Sequence, residues 1–424
     1  MSHPEVKTEK RPFEGLKVLD FTWGGVGPFQ SNFLAYYGAM VVRIESASRP
    51  DITRQGGNIN PRLARQGGGA SVDKKTLLEY GPTFAVTHPV KKYGMSLNIQ
   101  NPRAIEIFKK LAVWADVFVE SFTTGTLEKR GLGYDDLKKL NPRLIMHRTC
   151  GYGHTGPMAS MPGYGQTVTS FTGFYTIAGW PDRKSVPISS FYTDHLSPLF
   201  GGLALITAID YQQRTGAGQC IDQSQIESGI NYLSPLVLDY TVNRRELTLK
   251  GNKSDYAAPH GAYRCKGEDR WVAITVLTDQ EWDGFCEAVG NPEWTKDARF
   301  NTLEGRIKNS DELDRFVEEW TCNFTAEKAM AMLQSKGVAA GVVATAQDSE
   351  ADPQLKEYDF FREIDHPYLG KQKFFHPPGF TLSEATAEVH RPVFLGEHTE
   401  YICTEILGIP ADEFTQMQQE GVFD

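Results

Sequence analysis

The sequence predicts a doubly wound α/β fold: a large domain with a largely parallel, Rossmann-like sheet, joined to a smaller α+β domain. Three observations carry this expectation. From residue 16 to about 225, short apolar runs of strand length alternate with amphipathic stretches of helix length, the pattern of βαβ units whose crossover helices cover both faces of a parallel sheet. From about Lys250 the texture changes to two neighbouring strand patterns around a Lys266-Gly-Glu-Asp turn, followed by amphipathic helices, which reads as an antiparallel hairpin in a separate unit. At 424 residues the chain is long enough for two cores. The expected division is a large domain over 1–225 to which 365–424 returns, a linker at 226–254, a small domain over 255–345 and a second linker at 346–364.

The elements follow in order. Leu16-Lys-Val-Leu-Asp-Phe21 has the apolar content of a buried strand and runs into Thr22-Trp-Gly-Gly-Val-Gly-Pro28. A helix follows with Phe29, Phe33, Leu34 and Tyr37 on one face; Pro28 suits its first turn, where a missing N–H costs nothing. Gly38 ends that helix and Met40–Glu45 forms a second strand. Glu45 lies where dinucleotide-binding folds keep a ribose-binding acid. Gly24, Gly25 and Gly27 do not spell GxGxxG, however, so a sheet whose first turn serves another ligand is the better reading. Residues 49–90, rich in Gly, Pro and Arg, form a long excursion. The alternation resumes with the strand Gly94–Asn98, the helix Pro102–Trp114, the strand Val117–Glu120, the helix Tyr134–Leu140 and the strand Leu144–His147. Cys150-Gly-Tyr-Gly-His-Thr-Gly-Pro157 is a glycine-rich turn at a strand's carboxyl end, where open α/β sheets place ligands. His154 within it reads as a polar turn residue ahead of an acid/base catalyst. Cys220–Asp222 reads as a short strand and Ser224 as the cap of the next helix. In the second unit, Gly261–Cys265 and Trp271–Val276 form the hairpin, and helices follow near 281–289, 311–320 and 326–335. After a strand at Val338–Ala344 and an acidic connection, the chain closes with Arg391–Thr399 and two short helices.

Composition excludes several function classes. A formal net charge of -9 weighs against a nucleic-acid surface, which needs a basic field. No apolar run approaches a membrane span and Met1–Arg11 is charged, so a cytoplasmic protein with no membrane partner is expected. The six cysteines are scattered singly, with no metal-ligand spacing, and read as buried free thiols.

The stretch Val186–Gly202 holds the sharpest candidate. Apolar residues at Leu199, Leu203, Ile206 and Ile209 predict a long buried helix, with Asp194 where a loop becomes that helix. On the residues alone, Asp194 reads first as an N-cap. The sharper reading is a nucleophile that the positive end of the helix dipole keeps ionised.

A wider set of fragments stands in a telling order. They are Val18-Leu-Asp-Phe-Thr with Gly27-Pro28, Ile44-Glu45, Asp51-Ile-Thr-Arg54, Ala115–Phe122, Asn141–Ile145, Gly151–Pro157, Gly216-Ala-Gly-Gln219, Gly290–Trp294, Phe300–Arg306 and Leu395-Gly-Glu-His-Thr399. With these the chain resembles the family III CoA-transferases, the group that includes formyl-CoA:oxalate and carnitine CoA-transferases, from Leu16 to the C-terminus. The resemblance implies that Asp194 is a nucleophile that attacks an acyl-CoA to form a mixed anhydride, with coenzyme A as a substrate and no permanently bound cofactor or metal. It implies CoA binding at Gly25, Val26, Leu97, Gln100, Ser121, Phe122, Thr123, Lys129 and Arg130, and a substrate pocket at Trp23 and Tyr164. It also implies two domains joined by long linkers, each chain a ring threaded by its partner in an interlocked dimer.

Departures from the pattern matter as much. Ser46 stands where the formyl-CoA enzyme has Arg, Gln100 where it has Lys, and Gly165 where it has Glu, and its tetraglycine loop is missing between Asn243 and His260. Phosphate pairing could therefore shift to Lys91, Lys92 or Arg54. Pro198 lies where relatives often have Gly, so the first turn of the nucleophile's helix has another shape. The donor expected by resemblance is succinyl-CoA. Aromatics at Trp23, Phe29, Tyr164, Phe171, Phe191 and Tyr192 suggest an aryl or dicarboxylic acceptor, although core packing explains most of them as well. Two alternatives stand beside the homodimeric transferase. One is a non-catalytic or partner subunit of a heteromeric enzyme, as in the benzylsuccinate CoA-transferases. The other, an acyl-CoA racemase, is disfavoured because its His falls at Tyr164.

Overall fold

Six strands make the main sheet: β1 (Lys17–Phe21), β2 (Met40–Glu45), β3 (Tyr93–Ser96), β4 (Val117–Glu120), β5 (Ile145–Cys150) and β6 (Cys220–Ser224). Their order is β3-β2-β1-β4-β5-β6 and every neighbouring pair is parallel. The computed structural model describes residues 11–55, 90–188, 191–368, 370–375 and 379–424. Most of the 49–90 excursion therefore lies outside the described residues. Two units divide the chain: 1–174, 189–244 and 357–424 in the first, and 175–188 with 245–356 in the second.

Both faces of the sheet are buried, which is why its strands read as continuous apolar runs. Because side chains alternate along a strand, Leu19, Phe21, Val42, Ile44, Phe118 and Met146 enter one core. There they meet α2 (Pro102–Trp114) and α3 (Tyr134–Leu140) through Ile107, Phe108, Leu111 and Leu137. Val18, Val41, Val117, Val119 and Ile145 point the other way, against α1 (Val26–Tyr36) and the long helix α5 (Tyr192–Thr215). Between those two long helices in sequence, α4 (Gly165–Phe171) borders the site. Asn101 caps α2 by accepting from the Arg103 N–H, with Pro102 at its first position, as the sequence signals require. The edge strand β3 is covered by the returning C-terminal segment: the His398 N–H donates to the Gly94 carbonyl, and the Ser96 N–H to Thr399 Oγ1.

Helix α5 departs from expectation on its face. Of the four residues predicted to be its buried stripe, only Ile209 is buried; Leu199 is 70%, Leu203 65% and Ile206 38% exposed. The packed face is Leu196, Gly201, Leu205, Ala208 and Gln212. An added Cβ at Gly201 would lie 2.4 Å from Gln30 Nε2, so its missing side chain is what admits the Gln30–Gln223 hydrogen bond of 2.9 Å across the helix. Pro198 sits inside α5 and is buried; lacking an N–H, it cannot serve the carbonyl of Asp194 one turn earlier.

The segment 226–254, expected as a linker, carries most of α6 (Gln225–Tyr232) and all of α7 (Ser234–Asn243). Ser224 caps α6 by accepting from the Glu227 N–H. In the second unit β7 (His260–Arg264), β8 (Trp271–Thr275) and β9 (Ala339–Val342) form an antiparallel sheet in that order. It packs on α8 (Asp279–Ala288), α9 (Ser310–Thr321) and α10 (Ala326–Gln334). Arg306 is buried there, donating to the carbonyls of Ala258 and Phe300 and lying 4.8 Å from the Trp282 ring centre. A second hairpin, β10 (Phe361–His366) with β11 (Gly370–Phe375), stands in the first unit where the sequence suggests an irregular connection. Helix α11 (Ala411–Gln419) closes the chain. Two of the six cysteines, Cys220 and Cys322, are exposed rather than buried.

Candidate active site

A cavity of about 290 Å³ opens at the carboxyl ends of β1, β4 and β5. The strand order reverses between β1 and β4, and the loops leaving that point diverge to opposite sides, which makes a crevice without any special sequence. Trp23–Val26 after β1, Ser121–Thr123 after β4, Thr149–Gly151 at the end of β5 and Met161–Gly165 before α4 form its walls. Asp194 from α5 and Gln225 from α6 complete them. Among the described residues the lining contains no Arg, Lys or His.

Asp194 is not an N-cap. Phe191 holds that position, the Asp194 N–H donates to its carbonyl at 2.9 Å, and Asp194 is the third residue of α5 with its side chain turned to the cavity. Two glycines make room for it. A Cβ added to Gly165 would lie 2.8 Å from Asp194 Oδ2, and one on Gly25 would lie 3.3 Å from Asp194 Cβ. The Glu of the formyl-CoA enzyme therefore has no space at 165 while Asp194 is in this position. Burial pushes the Asp194 carboxyl up to about 6, and a hydrogen bond from Gln225 pulls it the other way. The helix start alone does not hold it in the ordinary carboxylate range, because desolvation is the larger effect. At neutral pH roughly nine-tenths of the groups are still ionised.

The loop after β1 is held from below. Asp51 accepts from the Gly24 N–H at 3.2 Å and from Arg43 Nη2 at 2.8 Å. Arg43 also faces Glu45 at 3.3 Å and Asp20 at 3.6 Å; Arg54 pairs with both oxygens of Glu45 at 2.8 Å, and Lys92 pairs with Asp20 at 2.8 Å. Three acids and three bases thus neutralise one another in the interior. Burial alone would raise Asp20 and Glu45, but the cations outweigh it: Lys92 and Arg43 hold Asp20, and Arg54 and Arg43 hold Glu45, both at about 2. Three charged residues singled out in the sequence are placed by this network. Glu45 is not available to a ribose, and Arg54 and Lys92 are buried ion-pair partners, not phosphate ligands; of the three proposed cations only Lys91 is exposed.

A second cluster braces the other walls. Ser121 Oγ accepts from the Trp23 N–H at 2.8 Å, tying the β4 loop to the β1 loop. Glu120, at the end of β4, accepts from the Phe122 N–H at 2.7 Å and from Arg148 Nε at 2.8 Å. His154 lies between carboxylates, with Nδ1 2.9 Å from Asp222 and Nε2 3.3 Å from Glu120. Burial opposes its charge, but Cys150 and Glu120 outweigh that and lift the imidazole to about 10. His154 is therefore a charged brace beneath the glycine-rich turn.

Gly25, Val26, Ser121, Phe122 and Thr123 thus share one cavity with Asp194, as do Trp23 and Tyr164. Gln100, Lys129 and Arg130 line a different and more open cleft of about 670 Å³ with Ile99, Pro102 and Ile105. Arg49 edges the same cleft; it was missed in the sequence because it sits in a Gly/Pro-rich stretch where a lone Arg carries no signal. Leu97 lines neither, since its side chain is in the core and its N–H donates to the Glu45 carbonyl. Ser46 is hydrogen-bonded to Asp424 at 2.8 Å. Of the six aromatics singled out, only Trp23 and Tyr164 reach the cavity, where Phe122 joins them. Phe29 stacks on His195, Phe171 packs on Tyr152, and Tyr192 packs on Phe174.

An open α/β sheet with a half-enclosed crevice and a carboxylate at its switch point, and a basic cleft nearby, has the outline of an enzyme site. The chain belongs to CoA-transferase family III, whose sequence profile matches residues 13–399. It is 29% identical over 413 residues to a succinyl-CoA–D-citramalate CoA-transferase of Chloroflexus aurantiacus, covering 97% of this chain and 98% of that one. It is likewise 29% identical to the beta subunit of a succinyl-CoA–L-malate CoA-transferase of the same organism, covering 98% and 99%. The human succinyl-CoA:glutarate CoA-transferase is 28% identical, covering 98% and 90%. Among solved structures, a CaiB/BaiF family protein from Brucella suis superposes with a TM-score of 0.80 at 28% identity, over 94% of this chain and all of that one. No helix among the described residues is long and apolar enough to cross a membrane.

Proposed function

We propose that the protein moves coenzyme A from succinyl-CoA to a short-chain carboxylic acid through acyl intermediates on Asp194. The observation that carries this reading is the Asp194 carboxylate itself, given room by two glycines in a cavity whose described lining holds no cation. An Asp194 oxygen attacks the thioester carbonyl, the C–S bond breaks, and CoA leaves as the thiolate with an aspartyl–succinyl anhydride behind it. The thiolate then attacks the aspartyl carbonyl of the anhydride, releasing succinate and leaving CoA on Asp194 as a thioester. The acceptor carboxylate attacks that thioester to form the second anhydride, and the returning thiolate takes the acceptor's acyl group and frees Asp194. Each step exchanges one activated acyl bond for another.

The succinyl donor is proposed from the relatives' names. A short acid is favoured over an aryl acid because the cavity lies at the small end of ligand pockets and most of the aromatics pack elsewhere. The cations of the open cleft, Arg49, Lys129 and Arg130, suit the CoA phosphates. Arg130 ties that cleft to the wall of the Asp194 cavity, since Thr126 lines that cavity and its carbonyl accepts from Arg130. The exposed apolar stripe Leu199–Leu203–Ile206 supports a dimer in which another chain covers α5. A related subunit remains the second reading for that chain, since the succinyl-CoA–L-malate CoA-transferase among the relatives has an alpha and a beta subunit.

The test is the purified chain with succinyl-CoA and a panel of acids. Mass spectrometry after hydroxylamine quenching should find a hydroxamate at Asp194, and Asp194→Ala should abolish both adduct and exchange. Full exchange by Asp194→Ala would overturn the nucleophile, and a wild-type chain that is inert until a related subunit is added would favour the heteromer.

A further inference from the structure

One turn back from the Asp194 cavity, the three helices that border it meet at a junction of threonines and one glycine. Thr169 stands one turn after Gly165 on α4, Thr193 immediately precedes Asp194 on α5, and Gly229 stands one turn after Gln225 on α6. Thr169 and Thr193 are fully buried. A Cβ added to Gly229 would lie 2.5 Å from Thr172 Cγ2 and 3.4 Å from Thr193 Cγ2, so the bare glycine is what lets α6 close on the other two helices.

The junction supplies what the start of α5 lacks. The first amides of a helix have no partner within it, and a side-chain oxygen at the N-cap ordinarily accepts from one of them. Phe191 holds the N-cap here and has no such oxygen. Thr169 takes over from another helix. Its Oγ1 accepts from the Thr193 N–H at 3.3 Å and lies 3.1 Å from Thr193 Oγ1, which in turn reaches the Gly165 carbonyl at 3.5 Å. Each hydroxyl proton has a place in that order, with Thr169 donating to Thr193 and Thr193 to Gly165. Thr172 Oγ1 donates to the Thr169 carbonyl at 2.7 Å and fixes the end of α4 that carries this oxygen. On its other side the same turn of α5 is short of a bond, because Pro198 has no N–H for the Asp194 carbonyl. The nucleophile's backbone is therefore anchored from outside its own helix, at the residue before it.

We infer that Thr169 is a positioning residue for the transferase reaction: through Thr193 it fixes the first turn of α5, and with it the direction in which the Asp194 carboxylate enters the cavity. This rests on the transferase reading above. Helix α4 then acts on the nucleophile twice, with Gly165 making room for the carboxylate and Thr169, one turn on, holding the chain that carries it. Neither threonine is among the described residues of the cavity lining. A change at Thr169 therefore alters turnover and leaves binding of the CoA thioester as it is.

The test removes the oxygen and keeps the shape, with CoA exchange read between succinyl-CoA and isotopically labelled succinate. A shift of about 1 Å in a reacting group costs on the order of a hundredfold, and loss of the anchor frees the turn for roughly half of that, so Thr169→Val should lower kcat about tenfold. KM for succinyl-CoA should stay within about twofold of wild type. Thr169→Ser, which returns the oxygen, should recover kcat to within about twofold. Thr193→Val removes the other hydroxyl of the pair. It should slow Thr169→Val by less than it slows wild type, because the two changes break one linkage. Thermal unfolding of the same preparations separates a poorly folded sample from a slow one; if Thr169→Val does not fold, Thr193→Val carries the test, and a wild-type kcat in it overturns the inference. So does a kcat for Thr169→Val within about twofold of wild type, or a loss that shows only as a higher KM. A Thr169→Ser variant as slow as Thr169→Val overturns it as well, assigning the effect to the methyl group and packing. CoA exchange that persists in Asp194→Ala would instead overturn the transferase reading on which the inference stands.

Discussion

Gly165→Ala tests the placement of the nucleophile most directly. The added Cβ would lie 2.8 Å from Asp194 Oδ2, 3.1 Å from its Cγ and 3.0 Å from Phe191 Cα, where ordinary contact begins at 3.4 Å. The flexible member is the Asp194 side chain, which has to retreat by roughly half an ångström for the contact to become tolerable. A displacement of a reacting group by about 1 Å costs on the order of a hundredfold in rate, so a retreat of half that size predicts about a tenfold fall in kcat. Stability should move less. Residue 165 starts α4 without a left-handed φ, Ala is a better helix former than Gly, and mild overpacking costs about 1 kcal/mol. The assay is CoA exchange at saturating succinyl-CoA, with thermal unfolding measured on the same preparations. A kcat within twofold of wild type would refute the argument that Gly165 exists to make room for Asp194. A loss matched by a fall in folded fraction would show that the effect is one of stability.

Asp194 titrating near 6 predicts that kcat/KM rises with pH through about 6 along a single ionisation, because only the carboxylate attacks, and then levels off; stopped-time CoA exchange from pH 4.5 to 8 reads it. Arg43→Met removes one base from an interior of three acids and three bases and should cost about 3–5 kcal/mol in denaturant unfolding, whereas Lys91→Met on the surface should cost little. Asp20 and Glu45 are held below their ordinary range, so their contribution is whole above that range and is lost as pH falls through about 2. His154 is raised instead, so its brace is whole below about 6.5 and is lost as pH rises through about 10. An alkaline fall in melting temperature that is absent in His154→Gln checks this. Leu199→Asp with Leu203→Asp should shift the sedimentation of the protein towards a single chain, since both side chains are exposed on an apolar stripe.

How much of this was legible in the sequence depends on where each signal originates. The limits of α2, α3 and β4 come out to the residue because local chemistry sets them, such as the Asn101 cap with Pro102 behind it. The hairpin of β10 and β11 was not legible, because Phe361–His366 and Gly370–Phe375 are mostly half-buried or exposed and show no clean alternation. The stripe on α5 was read as core because periodicity reports an apolar face but not what covers it. Asp194 is singled out by the sequence, and the resemblance makes it the nucleophile, but the residues alone read first as a cap, since sequence cannot separate the first position before a helix from the third position within it. Arg54 and Lys92 are candidates for the CoA phosphates in the sequence because a charge there is by default accessible. Gln225 left no trace, because a glutamine after a capping serine is unremarkable until its neighbour is known to be Asp194.

Those misplaced charges explain how the site keeps its shape. The cavity walls are loops, and loops at the ends of strands are ordinarily the most mobile parts of an α/β domain. Here three of them are tied down by polar partners. Asp51 holds Gly24 and is itself held by Arg43; Ser121 holds Trp23; Glu120 holds the Phe122 amide and, through His154, the glycine-rich turn. Burying so many ions gives little net stability compared with an apolar core of the same volume. What it does provide is a fixed position for groups around the nucleophile. In the proposed reaction a carboxylate that forms two anhydrides and a thioester in turn has to find the same geometry at each exchange, and a preorganised wall lowers the cost of every one of them. The lack of cations among the described residues of the lining fits the proposed chemistry: a base placed beside Asp194 would stabilise the resting carboxylate more than the neutral anhydride, slowing the attack. The cations lie instead one layer down, where they hold backbone, or out in the open cleft, where they meet solvent.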